Sequence, residues 1–141
     1  YGLSKESLDE LAGHKVEENF EVYKSTFILW KKGMEPIVID KPCTSLDIIP
    51  TISNLFGLEY DSRLLMGTDI LSDSPALAIF SNRSWITDRA IYNSKTNNVT
   101  FKDVTEQDKE YVKSINKIVE NKFAYSTKIL ETDYYRKVFQ E

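Results

Sequence analysis

His14 is the only histidine and Cys43 the only cysteine in this sequence. An imidazole titrates near neutral pH, so His14 is the first candidate for a metal ligand or an acid–base group. The alternative is a loop histidine whose ring bonds to nearby backbone. Structural zinc sites take four nitrogen or sulfur ligands, so we expect no zinc site formed by this chain alone. A single cysteine also rules out an intramolecular disulfide.

Asp47 is the second candidate, because its carboxylate lies where an extended stretch turns into an apolar helix. It could be a catalytic carboxylate or a helix cap. If Asp47 is the N-cap, Pro50 falls in the first helical turn, where its missing N–H costs nothing. With Thr44 as the cap, Pro50 would lie inside the helix. The sequence therefore predicts that Asp47 caps a helix ended by Gly57, with these apolar side chains facing inward: Ile48, Ile49, Ile52, Leu55 and Phe56.

Two apolar runs precede this helix, STFILW at 25–30 and IVI at 37–39, followed by Asp40. Unbroken apolar runs of this length are typical of strands buried on both faces. A short helix is predicted before them, over residues 5–12. Ser4 is placed to cap its free amides, and Gly13 suits the left-handed residue that ends a helix.

The second half of the chain changes character. Short apolar segments at 76–80, 84–87, 89–92 and 99–101 alternate with turn residues, which predicts an antiparallel meander with a hairpin loop at 93–98. A helical pattern follows, with Thr105 as its cap and a break near Asn121 or Ser126. Its inward positions are predicted to be Tyr111, Ile115, Ile118, Val119 and Ile129.

Composition narrows the function classes. A chain of 141 residues with 41% hydrophobic residues is large enough to form a core, and the net charge of −4 argues against a nucleic-acid-binding surface. A lysine row at 109, 113 and 117 could bind an anion, but nearby acids balance it, so a solvated helix face is favoured. The sequence contains neither a glycine-rich phosphate loop nor a G-x-S-x-G elbow.

Three stretches carry a resemblance to a known family. Residues 44–57, TSLDIIPTISNLFG, are similar to the pattern S-x-x-D-I-x-P-T-L-x-x-L-x-G of lipoteichoic acid synthase-like phosphoglycerol transferases, which have a sulfatase-type catalytic domain of the alkaline phosphatase superfamily. Residues 19–30 resemble the family's segment leading into a central buried strand, although the family often has proline where Thr26 stands. The segment 66–71, MGTDIL, followed by 78–88, resembles the M-G-x-D-L loop and the strand pair after it.

The resemblance implies the C-terminal part of an alkaline phosphatase-like α/β fold. Residues 1–74 would belong to the sulfatase-like catalytic core, and residues 75–141 would add antiparallel strands and a closing helix to the same domain. The whole protein would be anchored in a bacterial membrane by upstream segments, with its catalytic domain on the extracytoplasmic face and this portion soluble. A divalent metal, expected to be manganese, would activate a threonine for attack on a phosphatidylglycerol-type phosphodiester, or on a sulfate ester in the runner-up reading.

The family places an Asp-His metal-ligand pair just before a Tyr-Gly stretch like Tyr1-Gly2, so the nucleophile and metal ligands are expected upstream. None has a counterpart here, and we predict no catalytic, cofactor or metal residue in residues 1–141. Tyr1 and His14 are the candidates for the rim of the substrate cleft.

Three hypotheses follow. The chain is a non-catalytic scaffold whose partner is the upstream catalytic half of the same protein. Alternatively, it is an independent interaction module, which self-associates through an exposed apolar strand edge. The third, a complete small enzyme using His14, requires partner groups that the sequence does not supply.

Overall fold

The computed structural model describes residues 2–103 and 108–139, and these form a mixed helix–strand structure. Contacts divide the chain into two compact units, Tyr1–Ile37 and Val38–Glu141. The family resemblance assigns residues 1–74 to a catalytic core and residues 75–141 to strands and a closing helix of the same domain. That assignment stays a prediction.

The first unit begins with helix α1, Lys5–Ala12. The Ser4 hydroxyl accepts a hydrogen bond from the Ser7 N–H at 3.2 Å, and Gly13 ends the helix with a φ of 72°. The predicted helix, its cap and its stop are confirmed. After a loop, a short 3-10 turn follows at Glu21–Tyr23.

The prediction of buried strands at 25–30 and 37–40 is wrong for this chain. Neither segment forms a strand, and Ile28, Trp30 and Val38 are 83%, 81% and 84% exposed. A strand forms only where a neighbouring strand accepts and donates its backbone hydrogen bonds. None of the described strands pairs with these segments, so apolar composition alone does not make them a sheet.

In the second unit, a 3-10 turn at Ser45–Asp47 runs directly into helix α2, Ile48–Leu55. Gly57, with a φ of 64°, follows its end as predicted. The predicted inward face is correct only in part, because Ile48, Ile52 and Leu55 are half-buried. The buried side of this segment carries Asp47, Pro50, Thr51 and Ser53, whereas Ile49 and Phe56 are 63% and 62% exposed.

The predicted meander is confirmed. Its four antiparallel strands lie in chain order, and Asn93 pairs with Asn98 across the predicted hairpin loop. The strands are β1 (Ala78–Ile79), β2 (Trp85–Ile86), β3 (Ala90–Asn93) and β4 (Asn98–Phe101).

Helix α3, Lys109–Glu131, is followed by α4, Tyr134–Phe139. The predicted cap, Thr105, lies outside the described residues; Asp108 caps α3 instead, accepting from the Tyr111 N–H at 2.9 Å. The predicted break near Asn121 or Ser126 is wrong. Asn or Ser in a helix interior lowers stability by only about 0.5 kcal/mol relative to Ala. Packing of this helix on the sheet outweighs that loss. The helix direction changes only after Asp133, whose φ is 50°.

The core of this unit lies between the sheet and α3. Trp85 and Ala90 are fully buried and pack with Ile79 and Val119, and partly buried neighbours include Tyr111, Ile115 and Phe123. Ile118, predicted inward, is 42% exposed. The Trp85 indole N–H donates to Asn116 Oδ1 at 2.7 Å, so the one polar atom of the buried ring is satisfied by α3.

None of the helices in the described part of the chain combines the length and apolar character that a membrane span requires.

Candidate functional site

His14 lies just after α1, at the start of an acid-rich loop. Its Nδ1 lies 3.0 Å from the Ala12 carbonyl oxygen, and its Nε2 lies 2.7 Å from Glu21 Oε1. The Ala12 carbonyl can only accept, so Nδ1 donates to it. When His14 is protonated, Nε2 also donates, and the pair is an imidazolium bonded to a carboxylate.

The electrostatics agree with this protonation state. The hydrogen bond with Glu21, followed by its negative charge, raises the pKa of His14 above 6.5. The pKa of Glu21 is lowered, first by the hydrogen bond from the Glu17 N–H and then by His14. A cationic His14 can act as a proton donor or hold an anion, but it cannot act as a general base until it loses its proton.

The rest of the loop consists of carboxylates that accept backbone N–H groups. Asp9 Oδ1 accepts from the Val16 N–H at 2.7 Å, and Glu17 Oε2 accepts from the N–H groups of Asn19 and Phe20. These carboxylates satisfy the loop's free amides locally, which is their ordinary structural role. Tyr1, the other predicted rim residue, lies outside the described residues. The placement of Tyr1 and His14 at a substrate rim stays a prediction.

The implied metal does not fit the groups that are present. A divalent metal such as manganese takes several oxygen or imidazole ligands from clustered side chains. Within residues 2–103 and 108–139, no three His, Cys, Asp or Glu side chains come together in such a cluster. No chemical step through a metal is therefore assigned to residues of this chain.

Asp47 has a different role from the one predicted. The Thr44 N–H donates to Asp47 Oδ2 at 2.7 Å, and the Thr68 N–H donates to Asp47 Oδ1 at 2.7 Å. The carboxylate is 4% exposed and makes no hydrogen bond to the first amides of α2. The 3-10 turn places the helix start at Thr44. The Asp47 carboxylate therefore accepts from the Thr44 N–H and from the loop 66–71, and it does not cap α2.

That loop is held along one polar side of α2. Thr51 Oγ1 accepts from the Ile70 N–H at 3.1 Å and donates to the Asp47 carbonyl oxygen at 2.6 Å. Asn54 Nδ2 donates to Asp69 Oδ2 at 2.8 Å. Asp47, Thr51 and Asn54 recur at helical spacing, so they form one stripe that binds three consecutive residues of the loop, 68–70. We call this arrangement the loop clamp.

Gly67 allows the loop to approach the helix start. A Cβ at this position would lie 2.1 Å from the Leu46 carbonyl oxygen, so only a hydrogen fits there. Pro50 has no N–H to donate to that carbonyl in helical fashion, which leaves it open to the glycine. On the other side of the loop, Lys122 Nζ from α3 donates to the Met66 carbonyl oxygen at 2.7 Å, and burial lowers the pKa of Lys122.

Sequence reasoning missed the roles of Gly67 and Lys122. The M-G-T-D pattern was a signal for Gly67, because a glycine between larger residues marks a turn or a close backbone approach. Lys122 had no such signal, because its partner lies 56 residues away in the chain.

The chain was compared with protein-family models, with curated proteins and with solved structures, and none of the three comparisons found a match.

We expect the His14–Glu21 pair to be visible in a pH titration followed by proton NMR of the imidazole. His14 should titrate above 6.5. Glu21→Gln should bring its pKa back towards that value, because the charged acceptor is lost. Glu10→Gln, an exposed change elsewhere in this unit, is the matched control.

The sign of the accompanying stability effect follows from the raised pKa. The pair's contribution is fully present between pH 4.5 and 6.5, is lost as the pH rises through the folded-state pKa of His14, and is lost again as the pH falls through that of Glu21. An unchanged His14 pKa in the Glu21→Gln variant would contradict this assignment.

We expect Gly67→Ala to destabilise the second unit, because the added methyl group meets backbone rather than a movable side chain. The free energy of unfolding should fall by roughly 2–3 kcal/mol, the upper part of the range for overpacking. Urea unfolding followed by circular dichroism measures it. Gly2→Ala is the control, since a Cβ there has no neighbour within 4 Å. Equal stability of the two variants would show that the loop does not approach Leu46 this closely.

Proposed function

We propose that this chain is the non-catalytic C-terminal portion of a metal-dependent phosphoglycerol transferase or sulfatase-like enzyme, and that it supports the enzyme's catalytic sheet. The observation that carries the proposal is the distribution of exposed apolar side chains. Among the described residues, more than half of these side chains lie in residues 22–58, which contain the apolar runs and the most specific family-like motif, and most of the others lie on α3 and α4.

The meander differs from residues 22–58 in the exposure of its large apolar side chains. None of the large hydrophobic side chains described between residues 72 and 103 is exposed. In residues 22–58, however, the exposed ones include Phe27, Ile28, Trp30, Val38, Ile49, Phe56 and Leu58. Single exposed apolar residues are ordinary, but a group of them indicates a surface that another protein segment covers. Here one group lies in the first unit, up to residue 37, and another in the second, from residue 38.

Helix α2 also has exposed apolar side chains. The loop clamp occupies its polar side, so Ile49 and Phe56 are left on the solvent side. An apolar helix stripe is stabilising only when it packs against another element. The sheet of a larger catalytic domain would provide that element, and it would also supply strand partners for residues 25–30 and 37–40.

The substrate class and the metal come to this proposal from the family resemblance. The upstream half would supply the threonine nucleophile and the ligands of a divalent metal, expected to be manganese. It would act on phosphatidylglycerol-type phosphodiesters, or on sulfate esters, at the extracytoplasmic face of a bacterial membrane. Residues of this chain would pack against the catalytic sheet and would contribute no catalytic group.

A second candidate, an interaction module without enzymatic activity, draws on the same exposed side chains. In that case the apolar surface would be covered by another copy of this chain. The exposed strand-like segments favour it, because unpaired strand edges promote pairing between chains.

We expect this polypeptide alone to show no manganese-dependent hydrolysis of a chromogenic phosphodiester or sulfate ester above background. The longer reading frame should encode a threonine and an Asp-His pair upstream, and its product should hydrolyse one of the two substrates. Ile49→Glu combined with Phe56→Lys should reduce that activity, whereas Leu130→Lys, a change at a more exposed apolar residue on α3, should not. Turnover by this chain alone that disappears in His14→Ala would overturn the proposal, as would a reading frame without the upstream residues.

We also expect the isolated polypeptide to associate with itself as its concentration rises, because its apolar surface has no other cover. Multi-angle light scattering over a concentration series measures the mass. Ile49→Glu combined with Phe56→Lys should shift the equilibrium towards monomer without changing the circular dichroism spectrum. A chain that stays monomeric at high concentration would count against the interaction module, while leaving the scaffold proposal intact.

A further inference from the structure

A second feature of the Val38–Glu141 unit is independent of the proposed scaffold role. A cavity of about 240 Å³ lies between the β1–β2 turn, the end of β3 and the middle of α3. Its lining includes Arg83, Tyr92, Asn116, Val119 and Glu120. From these side chains we infer that the cavity binds a neutral polyhydroxylated ligand, a saccharide ring.

The cavity has one apolar and aromatic side. Val119 is 2% exposed and belongs to the core. The Tyr92 ring packs against Trp85 with a centroid distance of 5.7 Å, and the Tyr92 hydroxyl donates to Asn97 Oδ1 at 3.1 Å. Both ends of Tyr92 are therefore fixed. A rigid aromatic side chain offers contact area to a ligand at a low cost in conformational entropy.

Asn82 and Ser94 in the lining bond to their neighbours, whereas three other side chains, Arg83, Asn116 and Glu120, keep polar groups available to a ligand. Asn116 Oδ1 accepts from the Trp85 indole at 2.7 Å, which fixes the amide, while its NH2 group bonds to no described residue. Arg83 and Glu120 line the same cavity, yet they form no ion pair with each other or with other described residues. Donors and acceptors thus surround the cavity with no net charge.

Arg83 stands where the backbone favours glycine. Its φ of 66° places it in the left-handed region, at the end of a tight turn in which its N–H donates to the Phe80 carbonyl oxygen at 2.9 Å. Its guanidinium lies over the Phe123 ring at 5.4 Å, which holds the side chain towards α3. A strained non-glycine residue whose side chain is held beside a cavity is typical of a functional position.

This combination fits a saccharide better than a charged ligand. The hydroxyl groups of a sugar ring both donate and accept, so they can use the amide, the guanidinium and the carboxylate together. The C–H face of the ring would lie against Tyr92, which the buried Val119 backs from the core. An anion would be attracted by Arg83 and repelled by Glu120, and the reverse holds for a cation.

The test is a titration of the 15N-labelled chain with glucose, galactose, N-acetylglucosamine and maltose, followed by amide chemical shifts. We expect at least one of them to shift amides in residues 82–84, 92–94 and 116–120, with a dissociation constant on the order of 1 mM for a ligand of this size. No shift with any of the four, or shifts mapping elsewhere, would overturn the inference.

Two variants test the residues. Arg83→Gly suits the backbone and Glu120→Gln keeps the side chain's size, so both should fold, as judged by the amide spectrum. Each should weaken binding about tenfold, the usual effect of losing a hydrogen bond to a charged group. Lys117→Gln, on the same helix, is the matched control and should bind normally. Unchanged binding in both variants would overturn the inference, as would shifts at these amides with the zwitterion glycine but with no sugar.

Discussion

The burial of Trp85 is the constraint on which the second unit depends. A fully buried indole contributes a large apolar surface, but it also brings one N–H that must find an acceptor. Asn116 supplies that acceptor from α3, so a single residue sets both the packing and the hydrogen-bonding register between sheet and helix. Tyr111 adds to it from the same helix, because its ring packs edge-on against Trp85 at 6.4 Å and its hydroxyl donates to the buried Thr87 Oγ1 at 2.8 Å. Asn116 also lines the cavity beside α3.

A second organising feature is the polar stripe of α2. In most surface helices the apolar stripe is buried and the polar stripe faces water. Here Asp47, Thr51 and Asn54 hold the loop 66–71, and two apolar side chains, Ile49 and Phe56, are left exposed. Burial of Asp47 is tolerated because two backbone N–H groups bond to its oxygens, and charged acceptors of this kind make strong hydrogen bonds. The polar side of the helix is thus already occupied, which is why the apolar side is the one available to another polypeptide segment.

Some segments of both units follow from the sequence, and others do not. Helix α1, the meander and its hairpin loop were predicted from local signals: a serine cap, a terminal glycine, and short strands separated by turn residues. These signals are read within a few positions of the chain, and the structure satisfies them locally. His14 was weighed between a functional and a backbone-bonded loop histidine, and the structure adds a carboxylate partner, Glu21, that neither reading named. The segments 25–30 and 37–40 were predicted as buried strands on apolar content, and they failed because pairing requires a neighbouring strand.

Local structure could therefore be read from the chain alone: where helices begin and end, which residues turn, and that the second half alternates short strands with loops. Long-range packing set which side of α2 is buried, that the Asp47 carboxylate bonds to the Thr68 N–H, and that Gly67 lies against Leu46. It also brought Arg83, Asn116 and Glu120 to one cavity. The physical reason is the separation along the chain between the residues that interact. Caps and turns depend on atoms within about one helical turn of each other, so their residues are adjacent in the sequence. Packing and buried hydrogen bonds join residues tens of positions apart, and no local pattern specifies which of them will meet.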